Sequence, residues 1–381
     1  MNQIGPKQRL ATRLAFLSAG LCMSAWAPLV PYAKARLGLN EGSLGLLLLC
    51  LGVGSLLAMP LTGVLAARLG CRRVILTAGA LTCLLLPCLA LADSPLQLGI
   101  ALFVFGAAIG TLDVAMNVQA VMVEKASGGA LMSGFHGLFS VGGFVGAGGM
   151  ALLLWGGLSP FWSSVAAVLL VALVLLVAAP HLLREPEQSD RDALFVLPHG
   201  AVIFIGVLCF IVFLVEGAIL DWSALFLTAA RGLDASQGGL GYAAFAIAMT
   251  TGRLTGDRIV KRFGGKRVLL LGGLCAAGGF FLAVSAATAA VALIGFILIG
   301  LGASNIVPIL FSAAGNQATM PAGLAIAAIT TLGYAGILAG PALIGFIAHA
   351  TSLNVAFAML GCALLLVAAS AHLGAASKKA A

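Results

Sequence analysis

A chain of 381 residues that is 61% hydrophobic and 8% charged, with a mean hydropathy of +1.14, is not an ordinary soluble domain, where about a quarter of residues are charged. Its net charge of +8 would suit a nucleic-acid partner, but the placement of those charges in short loops excludes that reading. Eight cysteines without a CxxC or Cys/His cluster exclude a disulfide framework and a zinc site, and no cofactor or metal is expected.

The chain opens with Lys7, Arg9 and Arg13 ahead of a long apolar run that has no small-residue cleavage site, which predicts an uncleaved first span. At about 20 apolar residues per crossing, spans follow at 13–32, 43–67, 74–92, 97–121, 130–154 and 160–180. A polar interruption from His181 to His199 carries Arg184, Glu185, Glu187, Asp190, Arg191 and Asp192. Six more spans follow it, at 200–228, 237–257, 267–286, 289–313, 321–347 and 353–373. The fold class is therefore an all-α membrane protein with twelve transmembrane helices. They form two pseudo-symmetric six-helix bundles, 1–180 and 200–381, joined by a linker over 181–199. The fifty glycines fit membrane helices whose backbones approach closely.

Basic loop residues orient the chain. Lys7, Arg9, Arg13, Arg68, Arg72, Arg73, Lys125, Arg184, Arg191, the six from Arg253 to Arg267, Lys378 and Lys379 share one side. Only Lys34, Arg36 and Arg231 lie on the other. The bias predicts cytoplasmic termini and linker in a bacterial inner membrane, and it accounts for the net charge.

The halves repeat. Arg68-Leu69-Gly70-Cys71-Arg72-Arg73 returns 194 positions later as Arg262-Phe263-Gly264-Gly265-Lys266-Arg267. The same offset carries Gly142 and Gly146 onto Gly336 and Gly340, read as packing and hinge elements. Two such halves are the plan of many secondary transporters, whose site lies mid-membrane between them.

Ionisable residues inside apolar spans are few, and each carries a cost of at least about 2.5–3.5 kcal/mol at the bilayer centre. They are Asp113, His136, Glu216, Asp221 and Arg253, the last near the cytoplasmic end of its helix. Asn117 follows Asp113 by one helical turn and shares its face. Counting 1.5 Å per residue from the span ends places Asp113, His136 and Asn305 about 9–12 Å in, on one level. The same count puts Glu216 and Asp221 in an upper, periplasmic tier, about 24 and 31 Å above the start of span seven. Asp221 either binds solute or caps its helix with Trp222 anchored at the interface. His136 is either a proton-handling group or a neutral ring donating to a carbonyl. Asp113 and His136 lie on consecutive helices, so if they meet, the pair can be neutral or ionic. Asp113 is then expected to carry a coupled proton, with His136 and Asn117 tuning it. Asn117, Glu216, Asp221, Trp222, Asn305 and Trp26 are the candidate substrate contacts.

The loop run Gly63-Val64-Leu65-Ala66-Ala67-Arg68-Leu69-Gly70-Cys71-Arg72-Arg73 resembles the loop signature of the major facilitator superfamily, with a second copy in Gly252-Arg253-Leu254-Thr255-Gly256-Asp257-Arg258 continued to Arg267. The likeness covers the whole chain. It implies gating loops built from Arg68, Gly70, Arg72, Arg73, Asp257, Arg258, Arg262, Gly264 and Arg267. Ala67 stands where the family usually has an acid, whereas the second copy has Asp257 but a longer loop. Asp113-Val114-Ala115-Met116-Asn117 is similar to the acid-x-Ala-x-Asn run of fucose-permease-like sugar/proton symporters. Ser133-Gly134-Phe135-His136 and Phe213 to Trp222 resemble the MosC- and YbjJ-type branch. The resemblance implies a cavity lined by helices one, four, seven and ten. Fucose permeases carry a second acid on the first helix, and here that helix offers Ser24, Trp26, Pro28, Pro31 and Tyr32, so fucose is not carried over.

The expected function is secondary active transport of a small polar solute, sugar-like or cyclitol-like, by alternating access coupled to protons, in a monomer embedded in the lipid bilayer. No nucleotide-binding GxxxxGK[ST] occurs, and one His among scattered acids is a poor case for an enzyme. The alternatives are a proton-driven exporter of small molecules and a non-transporting sensor on the same fold. The fourth span lacks the Arg of many proton-driven drug exporters, which favours import.

Overall fold

The computed structural model describes residues 4–184, 198–233 and 237–372. Linker residues 185–197, including Arg191, lie outside the described residues, as do Lys378 and Lys379. Every regular element among the described residues is helical. In chain order they are α1 (Pro6–Leu37), α2 (Glu41–Leu69), α3 (Cys71–Leu91), α4 (Pro95–Ser127), α5 (Met132–Trp155) and α6 (Pro160–Ala178). The second set is α7 (Ala201–Arg231), α8 (Leu240–Phe263), α9 (Gly265–Ser285), α10 (Ala289–Asn316), α11 (Ala322–Ala350) and α12 (Leu353–Ala369).

Local chemistry sets the ends. Pro6 and Pro160 open their helices where a missing N–H costs nothing. Asn40 and Ser352 cap α2 and α12 by accepting from Ser43 N at 2.8 Å and Val355 N at 3.2 Å. Proline also explains the two breaks. The turn Ala27–Leu29 in α1 contains Pro28. Pro308 denies the carbonyl of Ser304 its partner four residues on, and α10 is interrupted at Ser304 and Asn305.

Ten of the twelve helices are long and apolar enough to cross a membrane. The other two differ from expectation for separate reasons. α8 carries Arg253, Asp257, Arg258, Lys261 and Arg262 in 24 residues, and α12 is only 17 residues long. α4 outruns its apolar stretch by six residues, to Ser127, because a helix satisfies its own backbone in water as well as in lipid.

The chain forms two compact units. One is Met1–Ser127, Leu138–Leu197 and Met320–Ala327; the other is Gly128–Gly137, Pro198–Thr319 and Ala328–Ala381. In the first, glycines let helices touch backbone to backbone. A Cβ on Gly142 or Gly146 of α5 would strike the carbonyls of Leu17 and Leu21 in α1, and one on Gly106 of α4 would strike Leu51 of α2. Ser55 Oγ adds a bond to the Gly106 carbonyl at 2.7 Å. In the second, Gly336 of α11 meets the Phe210 carbonyl of α7, and Gly300 of α10 meets Phe245 of α8. These contacts fit the reading of the small-residue runs as packing elements.

The repeat extends to backbone angles and caps. Gly70 (φ 80°, ψ 149°) and Gly264 (φ 81°, ψ 147°) turn the chain between α2 and α3 and between α8 and α9 with one geometry that disfavours a Cβ. Arg36, at the end of α1, donates to the carbonyls of Leu89, Ala90 and Ala92 at the end of α3. Arg231, at the end of α7, donates to Ala283 and Val284 at the end of α9 and to Asn354 Oδ1 at 2.9 Å. Two of the three basic residues counted on the minority side thus satisfy the open carbonyls and negative dipole of a helix C-terminus.

Candidate functional site

In the first unit the chemistry centres on α4. Asn117, 1% exposed, donates through Nδ2 to the backbone carbonyl of Asp113 at 3.0 Å and lies 3.4 Å from its Oδ1. The Asn117 Oδ1 is buried and has no hydrogen-bond partner. Asp113 is only half-buried, and among the described residues no basic side chain pairs with it. It is an acid held in a helix by one neutral neighbour, with part of its surface open. Trp26 belongs to the same unit but is 5% exposed, with a buried indole N–H lacking a partner, so its ring is part of the packing.

In the second unit the interior charges meet. Arg253 Nη2 of α8 donates to Glu216 Oε1 of α7 at 3.0 Å. This corrects the separation of Arg253 near the cytoplasmic end from a Glu216 in an upper tier. Glu216 is fifteen residues, about 22 Å, from the start of α7, and Arg253 ten residues, about 15 Å, from the end of α8; the long arginine stem closes the difference. His136, four residues into α5, packs edge-on against Phe311 with centroids 5.5 Å apart. Asp113 stands fourteen residues, about 21 Å, from the end of α4, the last six of them beyond its apolar stretch. Asp113 belongs to the first unit and His136 to the second.

Asn305, 6% exposed, donates through Nδ2 to the Gly252 carbonyl at 3.2 Å and to Ser304 Oγ at 3.0 Å. Its amide pins the break in α10 to the backbone of α8 rather than facing open space. Asp221 is exposed, and α7 runs ten residues past it to an αL cap at Gly232, which removes the helix-capping alternative. Trp222 lies over Gly345 of α11, where any Cβ would stand 3.2 Å from its ring, and its buried N–H has no partner. It packs against α11.

The two loop copies differ in the way Ala67 foretells. Asp257 Oδ1 accepts the backbone N–H of Gly134 at 3.0 Å, capping the first turn of α5 from another helix. Gly134 is required there, because a Cβ would collide with the same carboxylate. In the first copy α2 meets α11 without an acid: Gly63 faces the Gly323 carbonyl and the Ala327 methyl, each 3.0 Å from a would-be Cβ. Arg68 ends α2, and Arg72 donates its backbone N–H to the Leu183 carbonyl at 2.9 Å. Arg258 and Arg262 lie in the last turns of α8, Arg262 sits 5.4 Å over the Phe263 ring, and Arg267 opens α9. Arg73 lines a cavity of about 220 Å³ with Leu65, Leu69, Thr77, Leu81 and Thr111, away from Asp113. Among the described residues no group of three or more His, Cys, Asp or Glu is placed to hold a metal.

The Major Facilitator Superfamily model matches residues 14–322 and 222–377. The chain belongs to the major facilitator superfamily. An uncharacterized MFS-type transporter of Yersinia pestis is 63% identical over 370 residues, covering 97% of this chain and 96% of that protein. The membrane protein MosC of Rhizobium meliloti is 32% identical, covering 90% and 84%. Among solved structures, the superfamily transporter FucP in its outward conformation superposes with a TM-score of 0.81 at 19% identity, over 97% of this chain and 99% of that one. The proton:xylose symporter XylE gives 0.77 at 14%, over 95% and 94%. These likenesses make the protein an all-α, multi-pass member of the superfamily with its fold.

Sequence reasoning named Glu216 as a solute contact but missed its pairing with Arg253. A signal was available: opposite charges in successive apolar spans of one half have little alternative to each other. The Asp257–Gly134 cap had no such signal, since a backbone N–H leaves no trace in sequence.

Proposed function

We propose that this superfamily member is a secondary active transporter that imports a small polar solute, sugar-like or cyclitol-like, together with a proton. The bundles 1–180 and 200–381 act as its alternating halves, and both termini are cytoplasmic in a bacterial inner membrane. The observation that carries the reading is Asp113: a partly open carboxylate deep in an apolar helix, without a basic partner among the described residues. An acid in that setting can gain and lose a proton as access changes, whereas a permanently paired one cannot do so without breaking its pair. The symporters FucP and XylE, which share the fold, lend support by analogy of fold alone. Asn117 tunes the acid in this reading, and Glu216 and Asp221 contact the solute.

The test is flux. Purified protein in proteoliposomes should accumulate a neutral sugar or cyclitol when the outside is made acidic, and should alkalinise the medium as it does so. Solute binding without flux would favour a sensor, and flux from inside outward against an inward proton gradient would favour an exporter.

A further inference from the structure

Glu216 of α7 and Arg253 of α8 form an ion pair that is largely buried between the helices. Such a pair does little for stability, because desolvating both charges offsets their attraction, so its presence calls for another reason. Its geometry supplies one. The two side chains are unequally covered: Arg253 is 8% exposed and Glu216 21%. The guanidinium is the more deeply covered of the two, and the carboxylate keeps part of its surface open. Only Oε1 is engaged, by a single hydrogen bond of 3.0 Å. A carboxylate has about four acceptor positions, and Oε2 retains its own.

The support under Arg253 is rigid. Asn305 bonds the carbonyl of the preceding residue, Gly252, and a Cβ at Gly252 would run into Ser304. One turn further on, Gly256 admits no Cβ beside Asn305 and Ser133, and Asp257 holds the start of α5. α8 is thus pinned on both sides of the arginine. Tyr242 and Asp221 share this end of the helices, and both are exposed.

We infer that Arg253 is a positioning residue that holds Glu216 as a fixed, charge-compensated acceptor, and that Glu216 Oε2 takes a hydrogen bond from a neutral hydroxyl of the solute. This rests on the transporter reading above and adds to it the contact that recognises the solute. The argument for a hydroxyl is electrostatic. A free carboxylate would favour an ammonium, but the guanidinium 3.0 Å away cancels most of that field at longer range. What remains is the short-range acceptor strength of an ionised oxygen, which a neutral O–H donor can use. The pair selects polyols over amines of the same shape. It also divides labour: Asp113, without a basic partner, is left for the proton.

The experiment measures binding to detergent-solubilised protein by titration calorimetry, with myo-inositol, xylose and fucose as neutral probes and glucosamine as the amine probe. At least one neutral probe should bind, and more tightly than glucosamine. Glu216→Gln should weaken that probe tenfold or more, Arg253→Met similarly, and Arg253→Lys by only a few-fold. The double variant Glu216→Gln/Arg253→Met should bind no worse than Glu216→Gln alone, because both substitutions remove one device. Additive losses would make Arg253 a separate structural element and overturn the inference. So would tighter binding of glucosamine, failure of every neutral probe at millimolar concentration, or wild-type affinity in Glu216→Gln. Should Arg253→Met not fold, Arg253→Lys and Glu216→Gln still decide. Failure of the proton reading is visible elsewhere, in Asp113→Asn flux, and leaves these affinities untouched.

Discussion

Replacing Asp113 with Asn removes the ionisable proton while leaving the shape of the side chain. The structure sets the expected damage to the fold. Asn117 directs its 3.0 Å bond to the backbone carbonyl of residue 113, which the substitution does not touch. Only the 3.4 Å approach to Oδ1 is altered, at the edge of hydrogen-bonding distance, and the new amide oxygen can still accept it. The cost in stability should be below about 1 kcal/mol, so the thermal midpoint should be close to wild type. The cost in function follows from the proton. One acid inside the apolar spans of the first unit implies one proton per solute, and each pH unit then supplies about 1.4 kcal/mol, or tenfold accumulation. A gradient of two units should drive wild-type proteoliposomes to about 100-fold accumulation and leave Asp113→Asn at equilibration. Counterflow, which needs no net proton movement, should survive in the variant. Hundredfold accumulation by Asp113→Asn under the same gradient would refute the assignment of Asp113 as the coupling acid.

Five further outcomes are expected. His136→Ala should shift the pH optimum of uptake without abolishing it; loss of all counterflow would instead give His136 a structural role beside Phe311. Asp257→Ala should lower stability by about 1 kcal/mol through loss of the cap on α5, read from the thermal midpoint. Gly134→Ala should do at least as much, since its methyl group would displace the same carboxylate. Arg36→Ala and Arg231→Ala should each cost about 1–3 kcal/mol by uncovering helix-end carbonyls, with solute affinity unchanged in calorimetry. Reporter fusions at both termini should read cytoplasmic, and a periplasmic signal from either would overturn the orientation taken from the basic loops.

Much of this molecule was legible because its causes are local. Apolar runs of membrane length must be helical to satisfy their backbone, so the helices could be placed from composition alone. A loop that requires positive φ must repeat its glycine, so Gly70 and Gly264 announced two equivalent turns 194 residues apart, and their angles agree within 2°. The Asp113–Asn117 contact was legible as well, since four residues is one helical turn. What sequence could not supply were partners brought together from different helices. Nothing local to Glu216 names Arg253, and the depth count separated them by ignoring the length of an arginine side chain. Asn305 reads as a polar residue in a membrane helix, and only the packed structure shows its amide turned onto the Gly252 carbonyl. Asp221 reads as a solute contact or a helix cap, and only the course of α7 to Arg231 removes the cap. Helix and turn formation follow from each residue and its near neighbours, while the use of a buried polar group depends on which other helix arrives beside it.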